Sequence, residues 1–259
     1  MITESLVICM KISQEIWIKK LLNGSVWFGF INNYIKQAEE TGNNEQGDKY
    51  EGIFAHVKKD SKTIRKYQER FGADLEIIND SEYCFLRRKS CKKVAAFCMY
   101  GVKNSDLEIT NINYDDTGKM KGHFRCDIDQ KMYNSFLRDG TLPESVAGYY
   151  CSAGHLIGAI EKALNVNHYN WKRKMVTYDI DIEKEFIIEP TSEYPELWHK
   201  RKDLSYQHEV RFAILDSIKK EKGIEITIDP IKKNSGNFAL GELYFEGTAD
   251  VEEKDELHA

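Results

Sequence analysis

The sequence predicts a strand-rich α+β fold in one domain. Short apolar or alternating runs of strand length recur along the chain and outnumber the stretches with helical periodicity. No linker, internal repeat or low-complexity segment divides it, and only 4 Pro are present, which argues against long disordered connections. The 259 residues, 41% hydrophobic and 31% charged, are ample for a sizeable core. The expected globular body is residues 1–250, with 251–259 a charged, fraying tail.

Residues 6–12 (LVICMKI) read as the first strand. Ser13 is placed to cap a helix over 14–22, which Asn23-Gly24 would stop. Residues 25–30 form the next strand and 34–40 a short helix. The helix runs into a polar stretch, 41–52, holding Gly42, Gly47 and Gly52. Such residues favour turns, so Asp48 and Glu51 within it read as exposed, with a functional role the alternative. Residues 60–71 are charged and weakly helical. Runs 75–79 and 83–87 read as strands. The basic turn 87–93 reads as a solvated hairpin tip rather than a phosphate site, because clustered like charges need water. A buried strand follows at 94–100.

Residues 107–113 and 122–128 read as strands around the turn 115–118, and 131–138 as helical. After Pro143, residues 146–164 form the longest apolar-periodic helix candidate, with His155 a packed core histidine. Residues 171–180 enter another strand, and 193–198 are irregular around Pro195. Late strands are expected at 224–228 and 238–245.

The chain is organised around residues 200–215, a basic polar loop running into a strand. Strand alternation puts His208, Val210, Phe212 and Ile214 on one face, and Gln207, Glu209 and Arg211 on the other. The first face suits a core. The second could hold a ribose hydroxyl and stabilise developing positive charge, or be a wet sheet face carrying a short ion pair.

The net charge of −5 argues against non-specific binding to a nucleic-acid backbone as the main task. The six Cys include no C-x-x-C pair, so neither a zinc site nor a redox motif is indicated. Cys98 and Cys151 lie in apolar surroundings and read as small hydrophobes. There is no basic leader followed by an apolar run, and no apolar stretch long enough to cross a bilayer. A cytoplasmic protein with reduced thiols and no membrane partner is expected. Lys254-Asp-Glu-Leu is followed by His258 and Ala259, so it is not a free C-terminal retention signal. No P-loop, dinucleotide-binding glycine fingerprint or G-x-S-x-G elbow occurs.

Three pieces in order resemble a large bacterial family known as a domain of unknown function and often encoded near phage-defence genes. They are Leu22-Asn-Gly-Ser-Val-Trp-Phe28 with the loop 47–52, the Cys-containing strand 94–100, and 200–211 ending in Tyr-Gln-His-Glu-Val-Arg. That likeness implies no settled activity. Gln207-His208-Glu209 also resembles the Gln-x-Glu element of ADP-ribosyltransferases. The resemblance implies a split sheet with flanking helices, NAD as the cofactor consumed, and a toxin or defence effector acting on a protein or nucleic-acid acceptor. Glu209 would be catalytic and Gln207 would help choose the acceptor. Residues 200–206, with Lys200 and Tyr206, would face the target, alongside Asp48 and Glu51. Trp27 and Tyr34 would stack on nicotinamide, with Arg211 also toward the cofactor. Such enzymes carry Arg or His on the first core strand; here that strand offers Lys11.

Two other classes compete. A metal-dependent nuclease would gather Asp48, Glu51 and Glu209 with Lys200. A binding or sensing module would keep Glu209 and Arg211 as a structural pair and use the Gly47 loop as its partner surface.

Overall fold

Residues 95–103, three of them Ala or Gly, form the strand on which the fold is assembled, because it is paired along both edges. A computed structural model describes residues 5–43, 46–137, 141–219, 223–231, 235–238 and 244–250. The tail 251–259 lies outside them. In chain order the elements are β1 (Leu6–Gln14), α1 (Glu15–Leu22), β2 (Ser25–Phe30), α2 (Ile31–Thr41), β3 (Ile53–Lys58), α3 (Lys62–Phe71), β4 (Leu75–Asp80), β5 (Tyr83–Arg88) and β6 (Ala95–Lys103). There follow β7 (Glu108–Tyr114), β8 (Met120–Asp127), α4 (Gln130–Ser135), β9 (Val146–Ser152), α5 (Ala153–Val166), β10 (Trp171–Met175) and β11 (Thr177–Ile180). The last are β12 (Phe186–Ile187), β13 (His199–Arg201), β14 (Glu209–Ile214), β15 (Ile224–Thr227), β16 (Ser235–Phe238) and β17 (Tyr244–Asp250). The fold is strand-rich α+β.

The main sheet runs β10-β14-β6-β1-β9-β16, with β2 also on β6 and β15 on β2. β6 meets β14 along one edge, from Ala95↔Ile214 to Tyr100↔Glu209. Its other edge is shared. β1 pairs from Met10↔Tyr100 to Leu6↔Lys103, and β2 pairs only Gly29↔Ala96 and Phe30↔Ala95. The sheet therefore splits beside residues 97–99. At the split the Lys11 ammonium, at 2.6 Å, donates to the Cys98 carbonyl that a neighbouring strand would otherwise satisfy.

One face of this sheet is continuous core. Cys9, Phe97, Met99, Tyr149, Cys151, Val210, Phe212 and Ile214 pack there against Ile18 and Leu21 of α1 and Leu156, Ile160 and Leu164 of α5. The other face carries two separate apolar clusters. One joins Met10 and Val102 to Phe124, Met132 and Phe245. The other joins Ala96 and Ala213 to Ile31, Ile35, Leu197 and Trp198. Three smaller sheets complete the fold: β12-β3-β5-β4, β17-β8-β7, and the parallel pair β11-β13. The first of these buries its own cluster around Phe54, Tyr67 and Leu86 under α3.

Several expectations are corrected here. Ser13 remains in β1, and Gln14, the last residue of that strand, stands at the N-cap of α1 without a side-chain cap hydrogen bond. Residues 146–164 are strand then helix. The strand half alternates correctly: Tyr149 and Cys151 enter the continuous core, while Tyr150 packs on the opposite face. Its apolar run feeds the core that α5 also fills, so apolar spacing alone does not mark the boundary. His155 is exposed on α5 rather than packed in the core. The turn 87–93 is a solvated tip only in part: Lys89 and Lys93 are exposed, but the two arginines at the end of β5 are not. Arg88 is buried against Glu196 at 2.6 Å and over the Tyr194 ring at 4.2 Å, and Arg87 is buried beside Glu76 at 3.3 Å. Each buried guanidinium has an acidic partner, Glu76 being shared with Lys92, which offsets the loss of water. The helix expected over 131–138 ends at Ser135. Residues 171–180 break at Val176 into β10 and β11, which join different sheets. The run 238–245 contains the end of β16 and the start of β17, also in different sheets.

Candidate functional site

β14 places Glu209 and Arg211 two residues apart on the face away from the continuous core. The wet-face alternative does not hold: all six β14 residues are buried, with Glu209 6% and Arg211 1% exposed. Two elements bring their partners. β13 supplies Lys200, held by parallel pairing with β11. The loop after α2 supplies Glu51 and Asp48, both 2% exposed. The expectation that this loop is merely exposed is thus overturned. Gly47 explains how it tucks in, because its backbone lies so close to Tyr34 and Ala38 of α2 that a Cβ there would meet the Ala38 nitrogen at 2.6 Å.

The charged groups close a ring. Arg211 Nε donates to Glu209 Oε1 at 2.7 Å, and Lys200 Nζ to Glu209 Oε2 at 2.7 Å. Glu51 bridges the two cations from behind, with Oε1 2.6 Å from Arg211 Nη1 and Oε2 3.4 Å from Lys200 Nζ. Arg211 Nη1 also donates to the Leu197 carbonyl, and Lys200 to Gln207 Oε1 at 3.1 Å. Asp48 sits 3.5 Å from Arg201 Nε and accepts from the Tyr50 amide. The Glu209 amide donates to the Tyr178 hydroxyl at 2.9 Å. The Cys98 thiol hydrogen-bonds the Glu209 carboxylate, and Tyr34 hydrogen-bonds Cys98 in turn.

Burial by itself would raise the Glu209 pKa, but Arg211 and Lys200 override it and hold the carboxyl well below the usual range. Burial would lower the Lys200 pKa, and Glu209 and Glu51 reverse that. Asp48 is pushed up to about 6, first by burial and then by the Glu51 charge. Burial and the Glu209 charge push Cys98 up to about 12, so its thiol stays neutral. Lys11 is lowered by burial, and it has no carboxylate partner among the described residues. The assembly's four cations, Lys11, Lys200, Arg201 and Arg211, face Asp48, Glu51 and Glu209, and Arg201 Nη1 also pairs with Asp203 at 2.9 Å, so cations and carboxylates are equal in number.

This network floors a cavity of about 460 Å³ at the split, between the two apolar clusters. The size falls within the ~300–1,000 Å³ of small-molecule sites. Lys11, Tyr34, Cys98, Lys200, Gln207, Glu209 and Arg211 all line it. Gln207 and Glu209 do so from different backbone states: the chain turns at His208, in the left-handed region at φ 40°, so strand alternation begins only at Glu209. His208 instead stacks on Tyr100 at 5.1 Å.

Of the expected site residues, Glu209, Gln207, Arg211, Lys200 and Tyr34 converge. Asp48 and Glu51 stand behind the cavity and hold its cations. Tyr206 is placed elsewhere: its ring is buried in the apolar cluster with Leu204 and Met10, so it does not face a target. Trp27 is also apart from the cavity, on the outer side of β2 beside Gly223. Trp17, Gln14, Gln37 and Cys98 line the cavity but were missed as site residues. The signal for Lys11 was a lone charge inside an otherwise apolar strand.

Comparison with known protein families, characterised proteins and solved structures finds no significant match to this chain. The three acids of the nuclease reading do come together, but ammonium and guanidinium groups lie between them. Among the described residues no group of three His, Cys, Asp or Glu side chains has metal-binding geometry.

Proposed function

We propose that the cavity is the active site of an ADP-ribosyltransferase-like enzyme that consumes NAD. The reading rests mainly on one observation: the Glu209 carboxylate, ionised and fixed on a rigid strand, lines the inner part of an open-mouthed cavity together with Gln207. Breaking the nicotinamide–ribose bond builds positive charge on the ribose. A pre-oriented carboxylate stabilises that charge best where water is excluded. Each Glu209 oxygen holds one cation, and with a further lone pair taken by the Cys98 thiol the carboxylate still has one that can accept a ribose hydroxyl. Gln207, tethered by Lys200, borders the space an acceptor would enter. Lys11, which has no carboxylate partner among the described residues, holds the anionic part of the substrate.

The same ion pairs favour a second reading, a structural network with no chemistry, because both Glu209 oxygens are already engaged. Glu209→Gln separates the two. The transferase reading expects NAD turnover to fall at least 100-fold, with circular dichroism unchanged. Gln207→Ala, which disturbs the ion ring less, should alter the acceptor preference while bond cleavage persists. Wild-type protein that consumes no NAD, or a Glu209→Gln variant that remains fully active, would sink the proposal.

A further inference from the structure

Trp17 is 44% exposed and yet lines the cavity from the first turn of α1. A large apolar ring left at a cavity mouth has a stacking surface and no internal packing reason to be there. One face carries the Lys20 ammonium, 4.5 Å from the ring centroid, which leaves the other for a ligand. Gln14 and Gln37 line the same cavity, and their amides can both donate to and accept from the edge of a heteroaromatic ring.

The distances along β1 fix an orientation. Lys11 lies at the split, beside Cys98 and within the field of Glu209. Gln14 is three strand residues further on, about 10 Å away, and α1 with Trp17 follows directly. The cavity is therefore cationic at its floor and aromatic at its mouth, with about 10 Å of strand between Lys11 and the start of α1. Glu209 marks the floor as the reacting end, so the ring at the mouth is the one remote from the bond that breaks.

We infer that Trp17 stacks on the purine of a purine nucleotide substrate, with the phosphate directed toward Lys11. This deepens the NAD reading of the same site, but its test is independent of turnover. Calorimetric titration with AMP and with ribose 5-phosphate should show AMP binding about tenfold more tightly, as expected for one stacked base. Trp17→Ala should erase that difference and Trp17→Phe should keep most of it. If NAD is consumed, Trp17→Ala should raise its KM about tenfold with kcat within twofold. AMP bound equally by wild type and Trp17→Ala, AMP and ribose 5-phosphate bound equally by wild type, or no AMP binding at millimolar concentration would each overturn the purine site. Trp17-dependent AMP binding without NAD turnover would uphold it and remove only the transfer chemistry.

Discussion

At the residue scale the site is a competition between desolvation and pairing, and each acid resolves it differently. Glu209 has two cations and stays ionised, so the acid limb of any activity profile between pH 5 and 7 does not come from its titration. Asp48 has the longer contact to Arg201 and the like charge of Glu51 nearby, and it holds its proton up to about 6. In the unfolded chain the same carboxyl ionises near its ordinary 3.8. Between these values the unfolded state binds fewer protons, so this group's contribution to stability falls as pH rises. Two pKa units correspond to about 2–3 kcal/mol. Relative to Asp48→Asn, wild-type protein should therefore lose Tm steadily from pH 4 to pH 6.5. A Tm difference that stays constant across that range would show that Asp48 is not held protonated. Glu209 and Gln207 were legible because their spacing is local. The Glu51–Arg211 contact spans 160 positions, and nothing in either neighbourhood announces it.

At the element scale the loop after α2 shows why composition misleads. Gly, Asn and Asp specify a turn but not which side of it faces water. The close approach of Gly47 to α2 decides that and turns Asp48 and Glu51 inward. Gly47→Ala should push the loop off α2 at a cost of roughly 1–3 kcal/mol, the range for overpacking, and should reduce activity by displacing Glu51. Gly42→Ala, where a Cβ would meet nothing, should cost less despite its φ of +67°. Thermal melts in which the two variants lose equal stability would contradict this account of the loop. The strand–helix unit at 146–166 teaches a related point. Both halves bury apolar side chains in one core, so an apolar run by itself does not reveal that the backbone period changes at Ala153.

At the scale of the whole molecule the decisive feature is the split along one edge of β6. Pairing β1 to one end and β2 to the other leaves a gap that side chains must fill, and Lys11 fills it at an energetic disadvantage. A partly buried ammonium with a carbonyl as its one hydrogen-bond partner among the described residues, and only the Phe97 ring at 5.2 Å beside it, is poorly compensated. Lys11→Met should therefore keep or raise Tm while weakening NAD or AMP binding at least tenfold. A variant that loses several degrees and still binds normally would make Lys11 a structural strut. The sequence by itself determined the strand-rich α+β class, most strand positions and the local Gln207–Glu209 pair, because alternation, turn residues and i,i+2 spacing are properties of neighbouring positions. Only the tertiary structure decided that Glu209 is enclosed, that Glu51 and Lys200 complete its ring, that Tyr206 and Trp27 stand aside, and that Trp17 guards the mouth. Those outcomes depend on which distant segments share a sheet edge, and that is settled by the packing of the whole chain.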